Sequence, residues 1–504
     1  MTDTRIKKIV IAGGGTAGWM AAAALSKFVG SVAEIVLIES EAIGTVGVGE
    51  ATIPQIQRFN GMLGIDEAEF MRECRATFKL GIEFNNWGHI GESYLHTFGY
   101  SGIDLNHLDF HHYWLRSQKE MGSHKSLWDY SAHHKAAYQN KFAHMPSIGK
   151  TAISGLSYAY HFNSGLYGKF LRRYAEAAGV TRHEGIIDDV TLAAETGFIE
   201  MLKLKDGGVI SGDFFIDCTG FRGLLIGEAL GVKYHDWSQW LPMNRAFAVA
   251  SEKADELLPY TKATAHDTGW QWRIPLQSRT GNGHVFSSDF TSEDKARQTL
   301  LENLDTAATG EPRLLKFVTG RRDKFWHRNC LSLGLSSGFM EPLESTSIHL
   351  IQANISKLIE LFPNKDFSEA GISEYNRLII KEFDLIRDFL ILHYHRTDRT
   401  DTEFWNYMRT MDVPDSLKAK MQMFDETALI YKDPDDLFGQ SSWLQVMVGQ
   451  GLLPETYHLR ANALSESQLG EFLGNVETLI DRAVGQIGSH QNYINHYCAA
   501  GVLQ

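Results

Sequence analysis

Residues 8–12 are short, apolar and β-branched. The run Gly13-Gly14-Gly15-Thr16-Ala17-Gly18 follows at once, and an apolar stretch rich in alanine begins at Trp19. Gly13, Gly15 and Gly18 have the spacing GxGxxG. Glycines so placed permit a tight turn and let a pyrophosphate approach the free amides at a helix N-terminus. Glu39 closes the next apolar run, 21 residues after Gly18, where a carboxylate can accept hydrogen bonds from a ribose hydroxyl. A lone GxGxxG is a weak signal. Here strand, glycine turn, helix and acid follow in the order that dinucleotide binding requires.

A second group is Trp270-Gln271-Trp272-Arg273-Ile274-Pro275. Tryptophan occurs 11 times in 504 residues, so this run is not filler. In an extended segment residues 270 and 272 point the same way, and Pro275 stiffens the backbone beyond them. Two indoles on one face make a rigid apolar wall, which beside a redox cofactor would keep something away from it. Asp217-Cys218-Thr219-Gly220-Phe221 follows an apolar run, Phe214-Phe215-Ile216. Taken with the glycine loop, that small-residue turn points to a flavin-type fold. In Gly338-Phe339-Met340-Glu341-Pro342-Leu343-Glu344-Ser345-Thr346-Ser347, the proline and the Glu-Ser-Thr-Ser run predict a helix entry. Its free N–H groups suit an anion or oxygen, and Ser345 or Thr346 is the expected cap. Lys79, between Phe78 and Leu80, reads in isolation as a surface lysine whose stem covers apolar area. His393 and His395 do not share a helix face, and His111-His112 and His133-His134 lack ligand spacing, so no metal site is expected.

The elements that must hold these residues follow from periodicity. Residues 8–39 form a β-α-β unit. A helix is predicted over 154–180, strand-like alternation over 201–210 and a hairpin-like turn at 280–284, with a helix from about Ser345. In 373–395, apolar residues at Tyr375, Ile379, Phe383, Ile386 and Leu390 mark one buried helix face. The fold class is α/β: a flavin-monooxygenase-like FAD-binding fold, a Rossmann-type βαβ with mixed sheet. Residues 1–365 form the cofactor module with an inserted substrate-side sheet, and a helical part, 366–504, packs on it as one compact unit.

Net charge is −13 with no basic stripe, against nucleic acid and anionic membrane surfaces as partners. The four cysteines lie far apart without a CxxC pair, as for thiols in a reducing compartment. With no signal peptide or membrane span read from the sequence, a soluble cytoplasmic protein is expected.

These residues resemble the flavin-dependent tryptophan halogenase family across nearly the whole chain. The matching features are the GGGTAG loop, Val46-Gly47-Val48-Gly49-Glu50-Ala51-Thr52-Ile53-Pro54, Lys79 in its FKLG setting, His96-Thr97-Phe98-Gly99, the paired-tryptophan run and Glu341-Pro342-Leu343-Glu344-Ser345-Thr346. The resemblance implies that FAD, reduced by a separate flavin reductase, reacts with O2 to a flavin C4a-hydroperoxide that oxidises chloride or bromide to hypohalous acid. Lys79 would hold the oxidant, with Glu344 polarising the halogen donor or accepting the arene's proton. Thr346 and Ser347 would bind halide. His96 and Phe98 would sandwich an indole-like substrate, with Phe438 as a third wall, and Trp270, Trp272 and Ser345 would separate substrate from flavin. Besides the glycine loop and Glu39, it assigns Ala42, Val48, Gly49, Glu50, Ala51, Ile187 and Gly334 to the cofactor, and it allows a homodimer. Two departures stand out. The segment Tyr431-Lys432-Asp433-Pro434-Asp435-Asp436-Leu437-Phe438 lacks the tyrosine pair with which free-tryptophan members bind amino-acid ends, so an indole-like or larger aromatic substrate is expected. Ser347 stands where many members have glycine. The competing readings are a flavin-dependent aromatic hydroxylase and a non-catalytic flavin-binding protein.

Overall fold

A computed structural model describes residues 3–43 and 49–501. The chain forms two compact units, each assembled from three separated segments: Met1–Ala76, Phe162–Arg245 and Leu315–Asp384 in the first, Thr77–His161, Ala246–Leu314 and Leu385–Gln504 in the second. The units interleave in sequence, so their division does not coincide with a boundary at 365/366.

The first unit is built on a six-stranded sheet in the order Trp326–His327, Cys330–Ser332, Phe214–Asp217, Lys8–Ala12, Glu34–Glu39, Thr181–Glu184. All neighbours but the first pair are parallel, with Ile9 opposite both Phe214 and Ile35. Parallel strands covered on both faces read as continuous apolar runs, which is why 9–12 and 35–38 are buried throughout. The helix Thr16–Val29 carries four consecutive buried alanines, Ala21 to Ala24. Their small side chains let the helices Ser164–Ala177 and Ser347–Glu360 pack against it.

The second unit centres on a seven-stranded sheet in the order Arg313–Lys316, Arg245–Ser251, Thr280–Phe286, Gly269–Pro275, Thr261–His266, Gly81–Asn85, Ser93–Thr97. Beside it the short strand Thr77–Lys79 pairs with Ala159–Asn163. The helix Gln440–Gly449 lies on the Ser93–Thr97 strand.

The helix predicted over 154–180 is instead a strand, Ala159–Asn163, followed by the helix Ser164–Ala177. Asn163 caps that helix by accepting from the Leu166 amide, 3.1 Å away, so an Asx cap divides what reads as one apolar run. Residues 280–284 are not a turn but the start of the strand Thr280–Phe286. Gly283 is there to make room: a Cβ on it would lie 2.0 Å from the Trp272 indole. The turn falls earlier, where the Leu276 amide donates to the Arg279 carbonyl at 2.9 Å. The long helix is Glu369–His395, and Tyr375, Ile379, Phe383, Ile386 and Leu390 are all buried, as its periodicity required.

Candidate active site

At the end of the first strand Gly13 adopts φ +108°, and its amide donates to the Ile38 carbonyl at 2.8 Å. A Cβ on Gly13 would lie 2.3 Å from the Cys218 carbonyl oxygen, and one on Gly18 would lie 1.9 Å from the Gly13 oxygen. A Cβ on Gly14 would strike the Glu39 side chain. Gly15 differs, because a Cβ there meets no atom within 4 Å. It is the N-cap of Thr16–Val29 and makes no side-chain cap bond. The open space is therefore on the side from which a pyrophosphate would meet the helix amides, and the loop fits a dinucleotide. Glu39 stands beside it, accepting from Arg182 Nε at 2.6 Å, Arg172 at 3.4 Å and Trp19 Nε1 at 3.2 Å.

The other residues assigned to the cofactor divide. Gly334, at φ +64°, touches Ala17: a Cβ on it would lie 2.8 Å from the alanine's own. Ile187 packs on the cluster containing Ala12 and Ile38. Gly49 and Ala51 are buried in a short strand with half-buried Glu50 between them, whose carboxyl is pushed up to about 7 by desolvation. Ala42 is exposed, and Val48 lies outside the described residues. The Asp217 turn is structural. Its buried carboxylate accepts from the Thr219 amide and hydroxyl and from the Leu225 and Ile226 amides, all at 2.6–2.9 Å, and so holds Phe214–Asp217 to the turn that follows.

At the Glu-Ser-Thr-Ser run, Pro342–Glu344 forms a single 3-10 turn that buries Glu344. Ser345 then takes a left-handed conformation, φ +60°, and its amide donates to the Pro342 carbonyl at 3.1 Å. This kink starts the helix at Ser347 with Thr346 as N-cap. Thr346 holds the position expected of a cap but makes no cap bond. Its buried hydroxyl has no hydrogen-bond partner among the described residues, so it caps none of the first-turn amides.

In the second unit Lys79 is completely buried, with Nζ 5.1 Å from the centroid of the Phe98 ring. This corrects the surface reading of an isolated lysine. Strand alternation puts Thr77 on the same side as Lys79 and sends Phe78 the other way, where it stacks on Phe142 at 4.0 Å. Thr77 Oγ1 donates to the Pro275 carbonyl at 2.7 Å, so the His161 nitrogen 3.0 Å away must be the donor in that contact. The opposite nitrogen of His161 then accepts from Thr261 Oγ1 at 2.9 Å. Burial, and then the charge of Lys79, hold this imidazole well below its usual pKa. Thr77 thus ties the lysine strand to the proline of the tryptophan strand, and a neutral histidine links the same hydroxyl to Thr261. Trp270 and Trp272 are buried with ring centroids 6.1 Å apart.

His96 and Phe98 stand on and just past the strand Ser93–Thr97. Gln445 fixes this segment, accepting from the Thr97 amide at 2.9 Å and donating to the Gly99 carbonyl at 3.1 Å. Around His96, Phe389 lies at 5.7 Å and Phe438 at 6.3 Å, and the two phenylalanines stack on each other at 3.9 Å. His161, Gln445 and Phe389 carry no motif. Phe389 was the most accessible to sequence reading, since it lies one residue from the periodic face that includes Leu390.

Among the described residues, one set with metal-ligand chemistry comes together: Asp109, His111 and His112, with ligand atoms within 4.8 Å. The His112 Nδ1 accepts from the His458 amide at 3.2 Å, which places its proton on Nε2, and burial lowers its pKa to about 3. His111 Nε2 meets the Ala428 carbonyl at 2.8 Å. The tautomer of His112 is the wrong one for ligation through Nε2. No helix among the described residues is long and apolar enough to cross a membrane.

The tryptophan halogenase family model matches residues 8–466. The chain is 38% identical to a tryptophan 6-halogenase of Streptomyces albogriseolus, over 84% of this chain and 82% of that one. It is 35% identical to a tryptophan 7-halogenase of Lentzea aerocolonigenes, over 90% and 91%. A flavin-dependent halogenase from Xanthomonas campestris superposes with a TM-score of 0.96 at 45% identity, covering 99% of this chain and all of the other. A second, from Brevundimonas, gives 0.94 at 41%, covering 98% and 100%. With its glycine loop, buried lysine and tryptophan strand in place, the chain belongs to the tryptophan halogenase family and is a flavin-dependent halogenase.

Proposed function

We propose that the protein halogenates an indole-like arene lacking amino-acid ends, using chloride or bromide, O2 and FAD reduced by a separate flavin reductase. The observation that carries this reading is the buried ammonium of Lys79. Removing a lysine from water is costly, and the Phe98 ring face offsets part of that cost. A lysine held in this way serves a purpose other than solubility.

The loop from Gly13 to Gly18 would hold the cofactor's pyrophosphate and Glu39 its ribose, with Ala42, Gly49, Glu50, Ala51, Ile187 and Gly334 around it. When bound and reduced, the flavin supplies with O2 the oxidising equivalents that convert halide to hypohalous acid. The uncapped amides at Thr346 and Ser347 suit a halide, since the start of a helix favours anions. Lys79 takes up hypohalous acid by hydrogen bonding or as a haloamine. The arene gains halogen and loses a proton, with Glu344 as acceptor, and water is released. His96, Phe98 and Phe438 hold the ring by stacking, while the indoles of Trp270 and Trp272, with Ser345, keep it from the flavin so that hydroxylation is suppressed. The segment 431–438 offers no tyrosine pair, which supports a substrate without a charged amino-acid end.

The test incubates the protein with FAD, a flavin reductase, NADH, bromide or chloride, and indole, with products read by mass. Wild type yields haloindole. Lys79→Ala loses it by at least about 100-fold while a hypohalous acid trap still reacts. Hydroxyindole as the main product of either protein would overturn the reading in favour of a monooxygenase.

A further inference from the structure

The carboxylate of Asp436 is 0% exposed, although it sits in an acidic segment whose neighbours Lys432 and Asp435 face solvent. Three donors converge on it. Its Oδ1 accepts from the Phe438 amide at 3.1 Å, and its Oδ2 accepts from Trp443 Nε1 at 2.9 Å and from Lys420 Nζ at 3.0 Å. The same Lys420 ammonium lies 3.7 Å from the centroid of the Trp443 ring. Trp443 packs edge-on against Phe389 at 4.9 Å, and Phe389 stacks on Phe438. One buried anion therefore fixes the backbone of Phe438, and through Trp443 it fixes the ring on which Phe438 rests.

We infer that Asp436 is a positioning residue: it sets the angle that Phe438 presents to His96, and with it the orientation in which the arene is held. This rests on the reading of the His96 pocket as the substrate site. His96 and Phe438 are 6.3 Å apart and inclined by 51°. Phe438 is the third wall to an arene held between His96 and Phe98, and its 51° tilt to His96 fixes the orientation that arene can take. That tilt is set by a backbone pinned by Asp436 and by the Phe389 ring on which Phe438 stacks. With the carboxylate already engaged by Lys420 and Trp443, Asp436 is not free to capture a substrate ammonium.

Asp436→Asn tests this with almost no change in volume. The amide still accepts from Phe438, but it turns an NH2 group toward two donors, Lys420 and Trp443. Trp443→Phe is the milder companion: it keeps a six-membered ring beside Phe389 and removes the Nε1–H bond to Asp436 together with part of the indole's volume. Turnover on indole and calorimetric binding of indole are measured together. The expected result for Asp436→Asn is a KM and a Kd for indole raised about 5- to 20-fold, a smaller change in kcat, and a broadened ratio of haloindole isomers, with Trp443→Phe showing the same pattern more weakly. In the background of Phe438→Ala, Asp436→Asn adds less than twofold to KM, because the two residues act through one wall. Folded variants with wild-type Kd and isomer ratio overturn the inference alone. So does a loss of kcat at constant KM, or full additivity with Phe438→Ala. If wild type itself binds no indole, the assignment of the pocket fails, and the role of Asp436 fails with it.

Discussion

The glycine loop and the His96 pocket are built by opposite means. The loop is specified by what cannot be present: side chains at positions 13 and 18 would collide with main-chain carbonyls at 2.3 and 1.9 Å. The pocket is specified by what is present: Phe389, Phe438 and Trp443 stacked and steered by a buried carboxylate. Backbone sterics allow one residue type, so the loop is recognisable in any sequence that keeps it. Aromatic packing allows many solutions of similar volume, so a pocket can be rebuilt for a new substrate without leaving a motif. A loop shaped for a shared cofactor and an aromatic pocket open to rebuilding are thus set by different kinds of constraint.

The sharpest way to break that contrast is at the loop. Gly18→Val and Gly13→Ala force main chain apart and should leave no measurable FAD binding, with much of the protein insoluble on expression. Gly15→Ala meets no protein atom, so its thermal unfolding should match wild type while the FAD Kd rises at least about 10-fold, the methyl group occupying space meant for phosphate. Equal effects of Gly15→Ala and Gly18→Val on unfolding would show that the loop is only a structural turn. The next largest effect is expected at Asp217. Replacing it by Ala removes the acceptor of two buried and two half-buried donors, and the loss should be about 3–5 kcal/mol in denaturant unfolding.

The same contrast explains what could be read from the sequence. The βαβ unit, the tryptophan strand and the helix entry after Pro342 were legible because glycine, tryptophan spacing and proline each restrict local geometry. The pocket's supports were not, since Gln445 reaches Thr97 across 348 residues and His161 reaches Thr261 across 100. Lys79 reads as a surface lysine until the sheet closes over it, because burial is a tertiary property. Gly281 and Gly283 read as a turn, yet they lie within a strand because an indole covers one of them. The mildest pocket change sharpens this point: Phe389→Leu should cost less than about 1.5 kcal/mol in stability. It should nonetheless raise KM for indole about 3- to 10-fold, measured against kcat on the same preparation.

The smallest expected effect lies between the two regimes, at Glu50, a side chain placed in the cofactor half by its backbone. Burial raises its carboxyl from the ordinary 4.5 to about 7, so between those values the folded protein holds a proton that the unfolded chain has released. Its contribution to stability is therefore complete below about pH 4.5, declines as pH rises to about 7, and is lost above that. Because the residue is only half-buried, solvent reduces the effect to about 1 kcal/mol. Glu50→Gln should remove that slope, making the variant more stable than wild type at pH 8 by a few degrees in Tm and nearly equal to it at pH 4.5. Parallel Tm profiles for the two proteins would mean that water reaches the carboxylate. In that case the strand Gly49–Ala51 holds its glutamate as loosely as a surface would, and backbone placement alone does not make this part of the cofactor half rigid.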